Sequence, residues 1–462
     1  MSSKNPLGEE KISRLLVEYS VPAIVGMVVN SLYNVVDRIF IGNSVGPNGI
    51  GGITIGFPIM IILMSMGLLF GVGGATLFSI RLGEGKKKEA EHALGNAFVL
   101  LVITGVVFVI LGQIFLKPLL VLFGASEAIL PYSMEYMRII FFGAVFQAVS
   151  MGMNNFVRAD GSPRIAMLTM FLGAGLNTLL DPIFIYGLKM GMTGAALATV
   201  LAQGVSATWV VSYFLGQRSR NKLLAKYMKL KLYVVVKITS LGIPGFALQM
   251  VSSLLNVILN KSLLFYGGDI AVSGMGVVNS LMTLLFMPVI GIRQGVQPII
   301  SFNYGARKYE RVKEATKLAI IAATVIVVTG YIITRLFPEQ LIALFNRSPE
   351  LLEFGSFVIL TWLMCMPVVG FQIIGSSFFE AIGQSRTAMF LTLTRQVIFL
   401  IPALLIFSRL WGLKGLLHAA PFADSLSALL TGIWFLRSMK KLDAERARKS
   451  ETVSATSTYG VK

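Results

Sequence analysis

The sequence predicts an all-α membrane protein of twelve transmembrane helices in two pseudo-symmetric six-helix bundles. Three observations carry that expectation. Apolar residues make up 55% of the chain and charged residues only 13%, where a water-soluble domain carries about a quarter charged. Mean hydropathy is +0.76, and the remaining charge falls in short segments between long apolar runs, as expected where lipid is the solvent. The third observation is an internal repeat at an offset of 222 residues.

Taken in order, the apolar runs fall near 15–41, 50–80, 94–116, 131–157, 164–187, 193–215, 235–266, 271–302, 316–336, 352–380, 387–408 and 413–436. Several exceed the roughly 20 residues that a perpendicular helix needs, so tilt or projection beyond the hydrocarbon is expected. The repeat pairs Pro22 with Pro244, Ser31-Leu32 with Ser253-Leu254, and Asn34-Val35 with Asn256-Val257. It continues through Gly73 and Gly295, Gly83 and Gly305, and the turns opened by Gly161 and Gly383. The chain therefore divides into an N-terminal lobe (1–215), a basic linker (216–234), a C-terminal lobe (235–440) and a polar tail (441–462) expected to be disordered. Each repeat holds an even number of spans, so the two are parallel, related by an axis along the membrane normal.

The net charge of +18 would suit a nucleic-acid binder, but its location excludes that reading. Lys and Arg gather at 81–88, 218–237, 307–317 and 437–449, and the alternate loops carry little beyond Lys117, Lys189, Arg347, Arg409 and Lys414. This is the positive-inside pattern, which places both termini in the cytoplasm and the chain in the cell membrane. A single cysteine, Cys365, excludes an intrachain disulfide, and His92 and His418 lack metal-site company. The polar segment from Met1 to Arg14 lacks a signal-peptide pattern. No Walker sequence, metal-binding His spacing or Ser/His/Asp arrangement is present. The chain thus reads as neither an enzyme nor an ATPase, needing no cofactor and drawing energy from an ion gradient.

The candidate site lies where the halves stop matching. In Leu176–Tyr186, Asn177 and Asp181 stand one helical turn apart on one face. Pro182 follows and deprives the Thr178 carbonyl of its helical donor. At the repeat offset Asp37 faces Leu259, and Asn177 and Asp181 face Phe399 and Ala403. Thr199 faces Ala420 when the offset slips to 221. Ionisable residues at membrane depth face a cavity or a partner. Helix–helix glue for Asn177 and Asp181, and a local pair with Arg38 for Asp37, are the structural alternatives. Two acids, an amide and a hydroxyl form an oxygen-rich cluster suited to H⁺ or Na⁺, and two carboxylates in one dry pocket cannot both ionise cheaply.

The C-terminal half offers Arg293, Gln294, Gln297, Glu380, Arg395, Gln396 and Asp424. Its arginines are expected to pair with Glu380 and Asp424. Gln294 and Gln297, with Met27, Tyr33, Asn34, Asn154 and Asn256, are candidates for a substrate cavity. Methionines and aromatics suit bulky lipophilic cations, although the same spacing also fits packing. Glu84, Glu89, Glu91 and Asp160 are expected in cytoplasmic turns, as solvated caps or in loop pairing.

The segment Asn34-Val35-Val36-Asp37-Arg38-Ile39-Phe40-Ile41-Gly42 resembles the multidrug and toxic compound extrusion (MATE) family. So do Gly161-Ser162-Pro163-Arg164, Asn177-x-x-x-Asp181-Pro182-Ile183 and Gly194-Ala195-Ala196-Leu197-Ala198-Thr199. The resemblance covers residues 10–440. It implies a V-shaped pair of lobes acting as a monomer and exporting lipophilic organic cations in exchange for H⁺ or Na⁺. Asp37 would be the coupling carboxylate, with Asn177, Asp181, Thr199 and the fourth-span Tyr136 around it. The chain departs from branches with a further acid in the seventh span, where only Ser252, Ser253 and Asn256 stand, so coupling is expected in the N-lobe. Two alternatives are weighed. A flippase for a lipid-linked oligosaccharide is favoured by Arg293 and Arg395 and opposed by Asp37 and Asp181. A membrane enzyme or receptor is opposed by the absent catalytic constellations and the repeated halves.

Overall fold

The computed structural model describes residues 5–345 and 348–459. The side chains of Asn34, Val35, Arg38, Pro47, Asp269 and 446–459 lie outside the described residues. Helix accounts for nearly everything described, because inside lipid a chain must satisfy its own backbone N–H and C=O groups.

The N-lobe holds α1 (Ile12–Ser44), α2 (Pro47–Gly83) and α3 (Lys87–Ile114). Next come α4, bent by 55° between Leu130–Phe142 and Ala144–Ala159, α5 (Pro163–Pro182) and α6 (Gly191–Leu215). The C-lobe holds α7 (Leu232–Gly268), α8 (Ile270–Gly305) and α9 (Tyr309–Leu336). It continues with α10, bent by 50° between Pro349–Trp362 and Met366–Ala381, then α11 (385–411) and α12 (413–459). Pro47, Pro163 and Pro349 each open a helix, where the missing N–H has no intrahelical acceptor to lose. The α7–α8 and α11–α12 hairpins turn on single glycines, Gly268 (φ 64°) and Gly412 (φ 61°), a conformation that a Cβ would strain. With those two turns and the two bent pairs, the described residues cross the membrane twelve times, as the apolar runs predict.

The lobes are joined by an exchange of first turns. Ile12, Leu15, Leu16 and Tyr19 of α1 are buried in the C-lobe core. At the repeat offset, Val234, Ile238 and Leu241 of α7 are buried in the N-lobe core. The lobes also meet closely where α2 packs on α8. A Cβ on Gly83 would lie 2.0 Å from the Phe302 carbonyl oxygen, and one on its repeat mate Gly305 would lie 2.1 Å from that of Ile80. Gly73 against α7 and Gly291 against α1 lie in the same half of the molecule, the half that carries both termini. Toward the far side, Gly52, Gly56, Gly267 and Gly274 meet only their own lobe.

Two features depart from the sequence reading. The short helix Pro6–Glu9 precedes α1 yet is held by the C-lobe. Asn303 Nδ2 and Arg311 Nη2 donate to the Leu7 carbonyl (2.8 and 3.1 Å), and Lys308 Nζ donates to that of Gly8 (2.7 Å). The tail, expected to be disordered, continues as helix to Tyr459. Its first turns are strong helix formers, Leu442 is buried, and Asp443 pairs with Lys313 of α9.

Candidate functional site

A polar layer divides the N-lobe core in two. One apolar cluster, on the half carrying the termini, takes Leu63, Leu101, Ala148, Phe156 and Val210. The other takes Ile41, Ile53, Tyr136, Ile185 and Ala196. Between them α1 contributes Asp37, α5 Asn177 and Asp181, and α6 Thr199, all buried.

The layer is built from α5 outward. The i,i+4 spacing sets Asn177 over Asp181, and Asn177 Nδ2 approaches Asp181 Oδ1 at 3.4 Å and Thr199 Oγ1 at 3.2 Å. Pro182 removes the donor that α5 would need for one more regular turn. The helix widens into the π-turn Ile183–Gly187, closed by Leu188 N–H onto the Ile183 carbonyl at 2.8 Å. Such bulges recur at functional sites. Asp181 is fully buried and lies in the field of Asp37. Tyr136, fully enclosed on α4, lies beside Thr199 in the field of Asp37, Asp181 and Tyr33.

All five predicted coupling residues are thus brought together, and Tyr33 stands beside them. Asn34 and Arg38 cannot be placed, since their side chains lie outside the described residues. The other cavity candidates go elsewhere. Gln297 Nε2 donates to Thr76 Oγ1 at 3.0 Å, and Gln294 Nε2 approaches Met27 Sδ at 3.5 Å. Both lie in the closed seam between lobes, lining a small cavity with Asn155, Arg158 and Ser301. Asn154 is buried on α4. Asn256 lines a separate cavity inside the C-lobe. The intramembrane arginines pair as predicted, Arg293 Nη2 with Glu380 Oε2 at 2.7 Å and Arg395 Nε with Asp424 Oδ1 at 2.6 Å.

One expectation needs correction. Asp160 is not solvated. It is 2% exposed and accepts from Asn221 Nδ2 (2.6 Å), Tyr213 Oη (2.7 Å), Ser219 Oγ (2.9 Å) and Arg220 N (3.0 Å). Burial raises its carboxyl above the ordinary range, against the pull of those hydrogen bonds. The linker folds over this acid, so a loop carboxylate becomes the anchor between α4, α6 and the linker. Glu91 is buried as well. Glu84 and Glu89 do pair in the turn, both with Arg81. The sequence reading also missed Glu135, whose Oε1 accepts from Thr193 N (3.0 Å) and Thr193 Oγ1 (2.6 Å). That bond ties α4, one residue before Tyr136, to the first turn of α6. An acid adjoining the tyrosine was the available signal.

Comparison with known proteins gives a consistent picture. A family model, MatE, matches residues 22–183 and 243–405, one match in each half of the repeat. The multidrug export protein MepA of Staphylococcus aureus (strain MSSA476) is 27% identical over 418 residues, which is 90% of this chain and 92% of that protein. The solved MATE multidrug transporter DinF-BH has a TM-score of 0.86 and 37% identity over 94% of this chain and 98% of its own. A MOP superfamily transporter from Pyrococcus furiosus Vc1 (DSM3638) has a TM-score of 0.89 and 25% identity over 96% of this chain and 100% of its own. Its binding pocket is described as having reverse polarity, suggesting a different function. The shared fold therefore leaves the charge of the cargo to be argued from the residues of each chain.

Proposed function

This chain belongs to the MatE family of transporters, and from that premise we propose that it is a secondary active multidrug exporter, a monomer that exchanges lipophilic organic cations for H⁺ by alternating access. The observation that carries the reading is the buried cluster of Asp37, Asp181, Asn177, Thr199 and Tyr136. Its polar atoms toward a guest are carboxylate, amide and hydroxyl oxygens, which favour a cation over an anion. H⁺ is favoured over Na⁺ because Asp37 and Asp181 are both buried, and two carboxylates in one dry pocket cannot both ionise cheaply, so the pair takes up a proton readily.

In this mechanism proton and cargo compete for one acid pair. With the lobes closed on the terminus side, protons enter from the far side and displace the bound cation. Rocking about the α2–α8 seam then turns the cluster to the opposite face, where proton loss restores the charge that attracts the next cation. The positive-inside distribution supports a cytoplasmic-membrane location with cytoplasmic termini. Exchange of one proton for one monovalent cation is electroneutral. A second proton would add the membrane potential as a driving force, about 2.3 kcal/mol per 100 mV. The flippase reading rests on Arg293 and Arg395, and each of these is paired with a carboxylate, which leaves little net charge for a pyrophosphate.

The test is efflux of a fluorescent lipophilic cation from proteoliposomes, under an imposed pH gradient and then an imposed Na⁺ gradient. The pH gradient should drive efflux, and Asp37→Asn should reduce it to background. Drive by Na⁺ alone would replace H⁺ as the coupling ion. Drive by neither would overturn cation export.

A further inference from the structure

The C-lobe contains a cavity of about 120 Å³ bounded by α7, α8, α10, α11 and α12. Its position in the repeat is informative. Among its lining residues, Leu259 stands at the repeat position of Asp37, Asn256 at that of Asn34, and Ala420 at that of Thr199. The cavity is thus the pseudo-symmetric twin of the N-lobe acid cluster, with the coupling carboxylate and hydroxyl replaced by apolar side chains.

Polarity has not been removed from this twin but reversed in kind. Arg395, at the repeat position of Gly173, uses Nε on Asp424 Oδ1 at 2.6 Å. Its Nη groups donate to no side chain or backbone among the described residues. The Asn279 carboxamide, at the position of Phe57, likewise has no partner among them, and Asn256 donates Nδ2 to the Ser252 carbonyl at 2.9 Å. The π-turn Thr394–Leu400 displaces α11 locally and carries Arg395 to the wall of the cavity. Opposite stand Trp362, Phe286, Met282 and Met366. Where the N-lobe presents two carboxylates, the C-lobe presents one, Asp424, already held by Arg395 Nε, together with N–H donors over an apolar floor.

We propose that this cavity is a second ligand site, one that takes the carboxylate end of a small organic acid. A guanidinium can bridge two carboxylates, with Asp424 on Nε and the guest on the Nη pair. Asn279 Nδ2 supplies a third donor, and the alkyl body lies against Trp362 and Phe286. The volume sets the size: the cavity is smaller than an engineered one of about 150 Å³ that takes benzene, so the guest is a short-chain acid whose body is smaller than one ring. The two lobes then divide the recognition of a dipolar cargo, or of a cation with its organic counter-anion.

The experiment is calorimetric titration of the purified full-length protein in lipid nanodiscs with propionate, and with propylammonium as the charge-reversed probe. No ion gradient is present, so the outcome is independent of the coupling reading. Propionate should bind the wild type and bind more tightly than propylammonium. Affinity should fall by about tenfold or more in Asn279→Leu, which removes a donor, narrows the cavity and leaves the ion pair intact. It should fall similarly in the double variant Arg395→Gln/Asp424→Asn, which removes both charges of the pair. Thermal melts establish that each variant is folded. The proposal is overturned by absence of propionate binding to the wild type, by propylammonium binding as tightly, or by binding that survives Asn279→Leu.

Discussion

The two lobes are copies of one bundle, and they handle burial differently. The C-lobe core is one continuous apolar cluster that runs from Leu259 through Leu404 to Leu442. The N-lobe core is two clusters with Asp37, Asn177, Asp181 and Thr199 in the gap. On α6, Thr199 falls between Ala195–Ala196 of one cluster and Ala207 of the other. A repeat thus fixes where helices lie without fixing what the layer between them does. One copy keeps a stable body, and the other gives up apolar contact at mid-depth to hold a titratable pair. The C-lobe keeps its own intramembrane charges as ion pairs, Arg293 with Glu380 and Arg395 with Asp424.

That contrast is broken most severely by exchanging the residues that create it. Asp37→Leu, which installs the C-lobe residue in the N-lobe, should abolish gradient-driven dye efflux in proteoliposomes while leaving the melting temperature equal to or above that of the wild type. The reciprocal Leu259→Asp adds a second carboxylate to a cavity wall where the single guanidinium, Arg395, already serves Asp424, and should cost about 3–5 kcal/mol. Folded yield and thermal melting check it, and a stable Leu259→Asp would show that the C-lobe tolerates a polar layer after all.

The ion pairs give the next effect. Asp424→Leu strands the Arg395 guanidinium and should destabilise by about 3–5 kcal/mol, whereas the double change Arg395→Met/Asp424→Leu should recover most of that loss. Denaturation of the single and double variants in parallel decides it. A smaller effect is expected where the lobes touch. Gly83→Ala would set a Cβ 2.0 Å from the Phe302 carbonyl oxygen, so α2 and α8 must part. The expected cost is about 1–3 kcal/mol, with slower efflux under an unchanged gradient. Melting temperature and initial efflux rate report the two parts separately.

The smallest effect concerns Asp160. Burial raises its carboxyl in the folded protein, so the folded state binds the proton more tightly than the unfolded chain does. The associated stability is fully present below the ordinary carboxylate range and is lost as pH rises through the raised value. Asp160→Asn lacks that titration, so the melting-temperature difference between wild type and variant should be largest in acid and shrink as pH rises. A difference that grows with pH would refute the assignment.

Composition and periodicity by themselves determined the class, the twelve crossings, the duplication and the identity of the coupling candidates. Lipid removes the alternatives to helix, and a repeat that loses its partner at Asp37, Asn177, Asp181 and Thr199 marks those positions without any coordinates. The pairing of Arg293 and Arg395 was legible for the same reason, since each needed an acid and few were available. Only the tertiary structure decided how the lobes are joined. The exchange of first turns at Ile12 and Val234, and the capture of Leu7 by Asn303 and Arg311, depend on contacts between segments far apart in the chain, up to 304 residues for Leu7 and Arg311, for which no local pattern exists. Asp160 reads as a solvated turn residue until the linker closes over it. The C-lobe cavity is invisible in sequence, because a void is a property of what five helices fail to fill between them.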